Sequence, residues 1–155
     1  MSSDNASMAY LRLLSERKLA DLLPPGSDGD RLEPSGVLAE NNYLYVVFDN
    51  RTRVARVRGE LSGRRGAAWF DAHGDEKGFE DIAYSHRQKH FYLLIEAVRV
   101  DGDYKGGVVE TDDRFHPIRR TWLDLSFESE NKGFEGLTWV RPSSGATRRW
   151  SMALT

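Results

Sequence analysis

Three glutamates stand at the head of apolar runs and are spaced like a repeat: Glu33, Glu80 and Glu135. Glu80 follows Glu33 by 47 positions and Glu135 follows Glu80 by 55. Each of the first two leads through a turn to a second run that closes on another acid. Glu33 leads to Asp49 and Glu80 to Glu96, 16 positions on in both cases. Carboxylates converging at one place suit a hard cation such as Ca²⁺, which takes roughly six to eight oxygen ligands. Without a cation they repel one another, and their pKa values rise. The bland alternative is that each glutamate bonds backbone amides of the next repeat and fixes the register between repeats. Both readings stay open for Glu33, Glu80 and Glu135. Lys77 and Lys132, each three residues before its glutamate, are placed to bind substrate anions at the same mouth, or else belong to solvated turns. Asp49 and Glu96 read first as strand-end acids serving turns.

Other chemistry finds little support. His73, His86, His90 and His116 show no H-x-x-x-H or H-E-x-x-H arrangement on a helical pattern and read as strand or surface residues. Asp101-Gly102-Asp103 lacks the rest of a calcium-loop pattern and reads as a turn. Ser35 has no G-x-S-x-G elbow around it, and no phosphate-cradling glycine motif occurs. Phe79, Tyr84, Phe134 and Trp139 read as packing between repeats.

The elements that must position the glutamates are strands. Glu33-Pro34-Ser35-Gly36-Val37 leads to Tyr43–Asp49, Gly78–Tyr84 leads to His90–Glu96, and Gly133–Val140 leads to Trp150–Leu154. Thr52–Val57 and Ala67–Phe70 supply third and fourth strands for the first unit, and Gly107–Glu110 and Pro117–Leu125 supply them for the second. Turn residues fall between them at Glu40-Asn41-Asn42, Asp49-Asn50, Ser62-Gly63, Asp101-Gly102-Asp103, Lys105-Gly106-Gly107 and Pro142–Gly145. The repeat length is that of a four-stranded propeller blade. The expected fold is therefore all-β, a partial β-propeller of about two and a half four-stranded antiparallel blades. Residues 32–76 form the first, 77–130 the second and 131–155 an incomplete third. Residues 1–31 form an N-terminal segment. Its leucine-rich stretch Ser7–Leu22 offers a helix, but Tyr10–Leu14 is read as an outer closing strand. Arg51, Arg53, Arg56 and Arg58 alternate with small apolar residues and read as the solvent side of a strand.

Composition sets the limits. A 39% apolar and 30% charged chain with no long apolar run predicts a solvated domain rather than a membrane one. A net charge of -2 without a large basic block argues against nucleic acid as a main partner. There is no cysteine, so disulfides and thiolate metal sites are excluded. The polar start gives no export signal, which makes the cytoplasm the default compartment. A chain stopping inside a third blade is expected to be a truncated piece with two exposed blade faces, open to self-association.

The motifs Lys77-Gly78-Phe79-Glu80-Asp81-Ile82-Ala83-Tyr84 and Asn131-Lys132-Gly133-Phe134-Glu135-Gly136-Leu137-Thr138-Trp139 resemble those of a known group. They are similar to the phytase-type propellers described as "esterase-like activity of phytase" and to the related SdiA-regulated proteins. The resemblance spans roughly residues 32–140. It implies a five- or six-bladed ring, often exported and in some members calcium-binding. Three functions follow as expectations: a scaffold binding a metal, small molecule or protein at the channel mouth, a Ca²⁺-dependent phosphoric or carboxylic ester hydrolase active only when the ring is complete or assembled, or a remnant without function.

Overall fold

A computed structural model describes residues 11–25, 31–72, 78–129, 132–140 and 149–154, the last stretch as backbone alone. Among the described residues there are ten strands. The first sheet is the meander β1 (Pro34–Glu40), β2 (Tyr43–Phe48), β3 (Arg51–Arg58) and β4 (Ala68–Asp71). The second repeats it with β5 (Asp81–Ser85), β6 (His90–Val100), β7 (Asp103–Thr111) and β8 (Pro117–Phe127). β9 (Phe134–Val140) and β10 (Arg149–Leu154) form an antiparallel pair. The fold is all-β, with two four-stranded antiparallel sheets, each strand paired to its sequence neighbour. One short helix, α1 (Leu19–Leu22), lies ahead of them. No helix among the described residues is long and apolar enough to cross a membrane.

The period of two in each strand decides which neighbour it packs against. In β6, Phe91, Leu93 and Ile95 point to the first sheet, while Tyr92 and Leu94 point to β9. Both sides of this strand are buried, which is why its run is apolar without alternation. β2 divides in the same way: Val47 joins the cluster shared with the second sheet, and Val46 and Phe48 face α1. The order of layers is thus the N-terminal segment, first sheet, second sheet and terminal pair. Leu22 and Leu23 cover the far face of the first sheet. The Trp69 indole donates to the Pro24 carbonyl at 3.3 Å and Arg64 Nε to the Asp21 carbonyl at 3.1 Å.

Several expectations change. Residues 11–18 have no regular secondary structure, so no outer strand forms there, and Leu11, Leu13 and Leu14 are exposed. Tyr10 and Pro142–Gly145 lie outside the described residues. Lys105-Gly106-Gly107, read as a turn, runs through the middle of β7. Its glycines serve packing instead. A Cβ at Gly107 would stand 2.7 Å from the Trp122 ring, and one at Gly106 would stand 2.9 Å from the Phe134 ring. The turn lies further back, where Asp101 and Gly102 take φ values of 53° and 99°. The arginines of β3 do not share one solvent side. The pair Val54-Ala55 shifts the phase, so Arg51 and Arg53 follow Ala55 and Val57 toward α1, whereas Arg56 and Arg58 follow Val54 toward the second sheet.

The contact between the two sheets is aromatic. Phe115 comes from the β7–β8 loop, is fully buried, and stacks on Phe91 with centroids 4.4 Å apart. Phe70 and Tyr45 flank it at 5.1 and 5.9 Å. Its φ of 66° is uncommon for a bulky residue. The loop is held by Asp112, whose Oδ1 accepts the Arg114 and His116 amides at 2.8 Å each. Phe115→Ala is expected to cost about 3–5 kcal/mol. Urea unfolding should show this as a lower midpoint at an unchanged slope.

Candidate functional site

The first strands of the three sheets, β1, β5 and β9, lie side by side. Their backbones approach closely enough that only glycine fits at the crossings. A Cβ at Gly78 would fall far inside contact distance of the Phe48 and Asp49 carbonyls, at the end of β2. At Gly133 a Cβ would stand 2.8 Å from Glu96 Cγ, the matching place on β6. The glycine of each Gly-Phe-Glu motif therefore seats on the second strand of the preceding sheet. The following phenylalanine enters the core, and Phe79 and Phe134 are both buried. Glu80 is left beside Asp49, just past the end of β2, whereas Glu96 lies within β6 rather than at its end.

Backbone bonds lock the arrangement. The Phe79 amide donates to the Phe48 carbonyl at 2.7 Å, the Glu80 amide to Leu94 at 2.9 Å, and the Asp49 amide to Glu33 at 3.1 Å. The Ser35 hydroxyl donates to the Phe79 carbonyl. The inter-sheet register expected of the motif glutamates is fixed by Asp81 instead. Its Oδ1 accepts the Ile82 amide and its Oδ2 the Leu137 amide of β9, each at 2.8 Å. Gly36 leaves room for it, since a Cβ there would stand 2.7 Å from Asp81 Cα. The third motif has Gly136 at this position and the first has Pro34, so sequence comparison of the repeats hides the role.

Asp49, Glu80 and Glu96 line a cleft of about 150 Å³ with Gly78, Ile95 and Val98. Glu135 lies near enough to act on the same group. Burial pushes the Glu80 carboxyl up to about 7, and the negative charges of Glu96, Glu135 and Asp49 add to the shift. Glu80 and Glu135 are thus brought into one electrostatic neighbourhood, together with two acids first read as turn residues. The signal for Asp49 and Glu96 was their shared 16-residue offset from the motif glutamate. Glu33 stands apart. Its carboxylate is 41% exposed and lies 3.8 Å from Arg31 Nε, and only its carbonyl reaches toward Asp49. Lys132 is exposed, with its amide on the Ser129 carbonyl. Lys77 and His73 lie outside the described residues.

The fit to a cation is partial. The donor type is right for Ca²⁺, but among the described residues no three histidine or acidic side chains are gathered tightly enough to hold an ion as they stand.

The described histidines are more than strand filler, since each meets a carboxylate. His86 Nε2 lies 3.4 Å from Glu40, His90 Nδ1 2.9 Å from Glu110, and His116 Nδ1 3.0 Å from Asp112. Glu110 is buried and also accepts from Arg119 at 2.8 Å, with the Tyr92 hydroxyl 3.1 Å away. These satisfied partners make the network a structural one. Comparison of the chain with protein-family models, with curated proteins and with solved structures found no match in any of the three.

Glu80 gives the cleft a pH signature. Its folded pKa of about 7 lies above the ordinary 4.5. The stability it contributes is therefore full below pH 4.5 and is lost as pH rises through 7. Glu80→Gln should match the parent near pH 4 and exceed it at pH 8, by on the order of 1 kcal/mol once water screening is allowed for. Denaturant melts across that range, taken as a difference between variant and parent, check this. A difference that does not change with pH would remove Glu80 from the cleft electrostatics.

Proposed function

We propose that the sheets are blades of a β-propeller and that the chain is a binding scaffold whose inner cleft takes a cation, Ca²⁺ being the first candidate. The observation that carries the reading is the convergence of Asp49, Glu80, Glu96 and Glu135 from three successive sheets on one neighbourhood. Like charges gathered with no local cation destabilise the fold, and a bound cation reverses that term. The paired Gly-Phe-Glu motifs, the meander order of both sheets and the adjacent first strands support the propeller reading, as does the resemblance of the motifs to the phytase-type group. The cleft walls add aliphatic side chains and the backbone of Gly78 to the carboxylates. That inventory favours holding a ligand over reacting with one.

Cation binding should compete with the proton on Glu80, so it strengthens as pH rises from 6 to 8. Thermal unfolding of the chelator-stripped chain, with and without millimolar Ca²⁺, tests this. A hundredfold excess over Kd stabilises by about 2.7 kcal/mol, which for a domain of this size raises the midpoint by roughly 5–10 °C. The shift should be larger at pH 8 than at pH 6. Glu80→Gln and Glu96→Gln should reduce it, and Glu33→Gln should not. A midpoint that ignores Ca²⁺ at both pH values overturns the cation reading.

A further inference from the structure

The two faces of β3 treat their arginines differently. On one face Arg53 has a carboxylate: its Nε lies 2.9 Å from Oδ1 of Asp71, the residue paired with it on β4. Its guanidinium also lies 5.0 Å over the Trp69 ring. On the other face Arg56 has the aromatic support with no ion pair to an acid among the described residues. Its guanidinium lies 4.6 Å from the Tyr43 centroid and 5.2 Å from that of Phe70, and the β4 residue paired with it is Ala68. Arg58 lies 5.7 Å from the same Tyr43 ring, and among the described residues its carboxylate neighbour is the exposed Glu60 at 3.9 Å. The Nε atoms of Arg56 and Arg58, like that of Arg53, are buried with no hydrogen bond among the described residues; what sets Arg53 apart is the Asp71 carboxylate beside it.

A buried donor left unbonded costs roughly 1–3 kcal/mol, more when it is charged. Stacking on an aromatic face holds a guanidinium in one plane and leaves its N–H edge to present. Two such groups, two residues apart on one strand face and sharing one ring, have the geometry of a fork without its acceptor. Tyr43 also walls a shallow hollow of about 460 Å³ with Glu40, Asn42, Gly59 and His86. The acid in that hollow, Glu40, is taken up by His86 at 3.4 Å.

We propose that Arg56 and Arg58, braced by Tyr43 and Phe70, form a binding site for a small oxyanion, carboxylate or phosphate, separate from the acidic cleft and opposite to it in charge. Bidentate N–H···O bonds to such a group satisfy both buried Nε donors. Arg53 and Asp71 show the same pairing of charges within the sheet.

The test follows the arginine Nε–H resonances of the full chain during titration with citrate, with inorganic phosphate, and with chloride at matched ionic strength. The Arg56 and Arg58 signals should move saturably with citrate or phosphate, and the anion that moves them identifies the source. The Arg53 signal should stay, because the Asp71 carboxylate beside it neutralises its charge and repels a second anion. Arg56→Lys keeps the charge but not the fork, and should weaken binding roughly tenfold at an unchanged unfolding midpoint. Signals that stay still, that move only as they do in chloride, or that move equally at Arg53 overturn the site. So does a lysine variant that binds like the parent.

Discussion

One bond between two sheets governs much of this molecule: the Phe79 amide donates to the Phe48 carbonyl across a glycine with no room for a Cβ. The approach at Gly78 sets how far apart the first and second sheets stand. Phe79 then enters the shared core with Val47, Phe91 and Phe115, and Glu80 is left beside Asp49. Core and cleft are therefore two results of one backbone contact. Gly133 against Glu96 repeats the device one sheet later, with Phe134 in the next core layer. A larger residue at either glycine would disturb packing and charge together.

The strands were legible in the sequence because burial on both faces leaves a plain mark. Runs such as Tyr43–Phe48 and Phe91–Ile95 are aromatic and aliphatic throughout, and turn residues such as Asn or Gly flank them. Spacing between the motif glutamates exposed the repeat for the same reason, since each sheet is built by the same sequence of strands and turns. Less legible were residues whose role depends on a neighbouring sheet. Gly106 and Gly107 look like a turn in one dimension and make space for Phe134 and Trp122 in three. Asp81 ties β5 to β9, yet its counterparts in the other repeats are proline and glycine.

The acidic cleft was half legible. Glu80 and Glu135 follow the motif, whereas Glu33 precedes a proline instead of following Gly-Phe and turns away to Arg31. Asp49 and Glu96 were visible as recurring acids but not as neighbours of the next unit's glutamate, because that proximity arises from the glycine seat. The arginines of β3 misled for a simpler reason. Alternation was read across the whole strand, although Val54-Ala55 interrupts it and sends two arginines to each face.

Strand order has a mechanical consequence. Every strand pairs with its neighbour in sequence, and each sheet touches the layers just before and after it. Energetically the molecule is a short row of units joined by nearest-neighbour terms. Pulled from its ends, such a row gives way one sheet at a time, at the interface carrying least load. The second sheet, clamped by aromatic stacks on both sides, is the last to yield, but the acidic cleft, whose acids come from three successive sheets, is broken at the first separation.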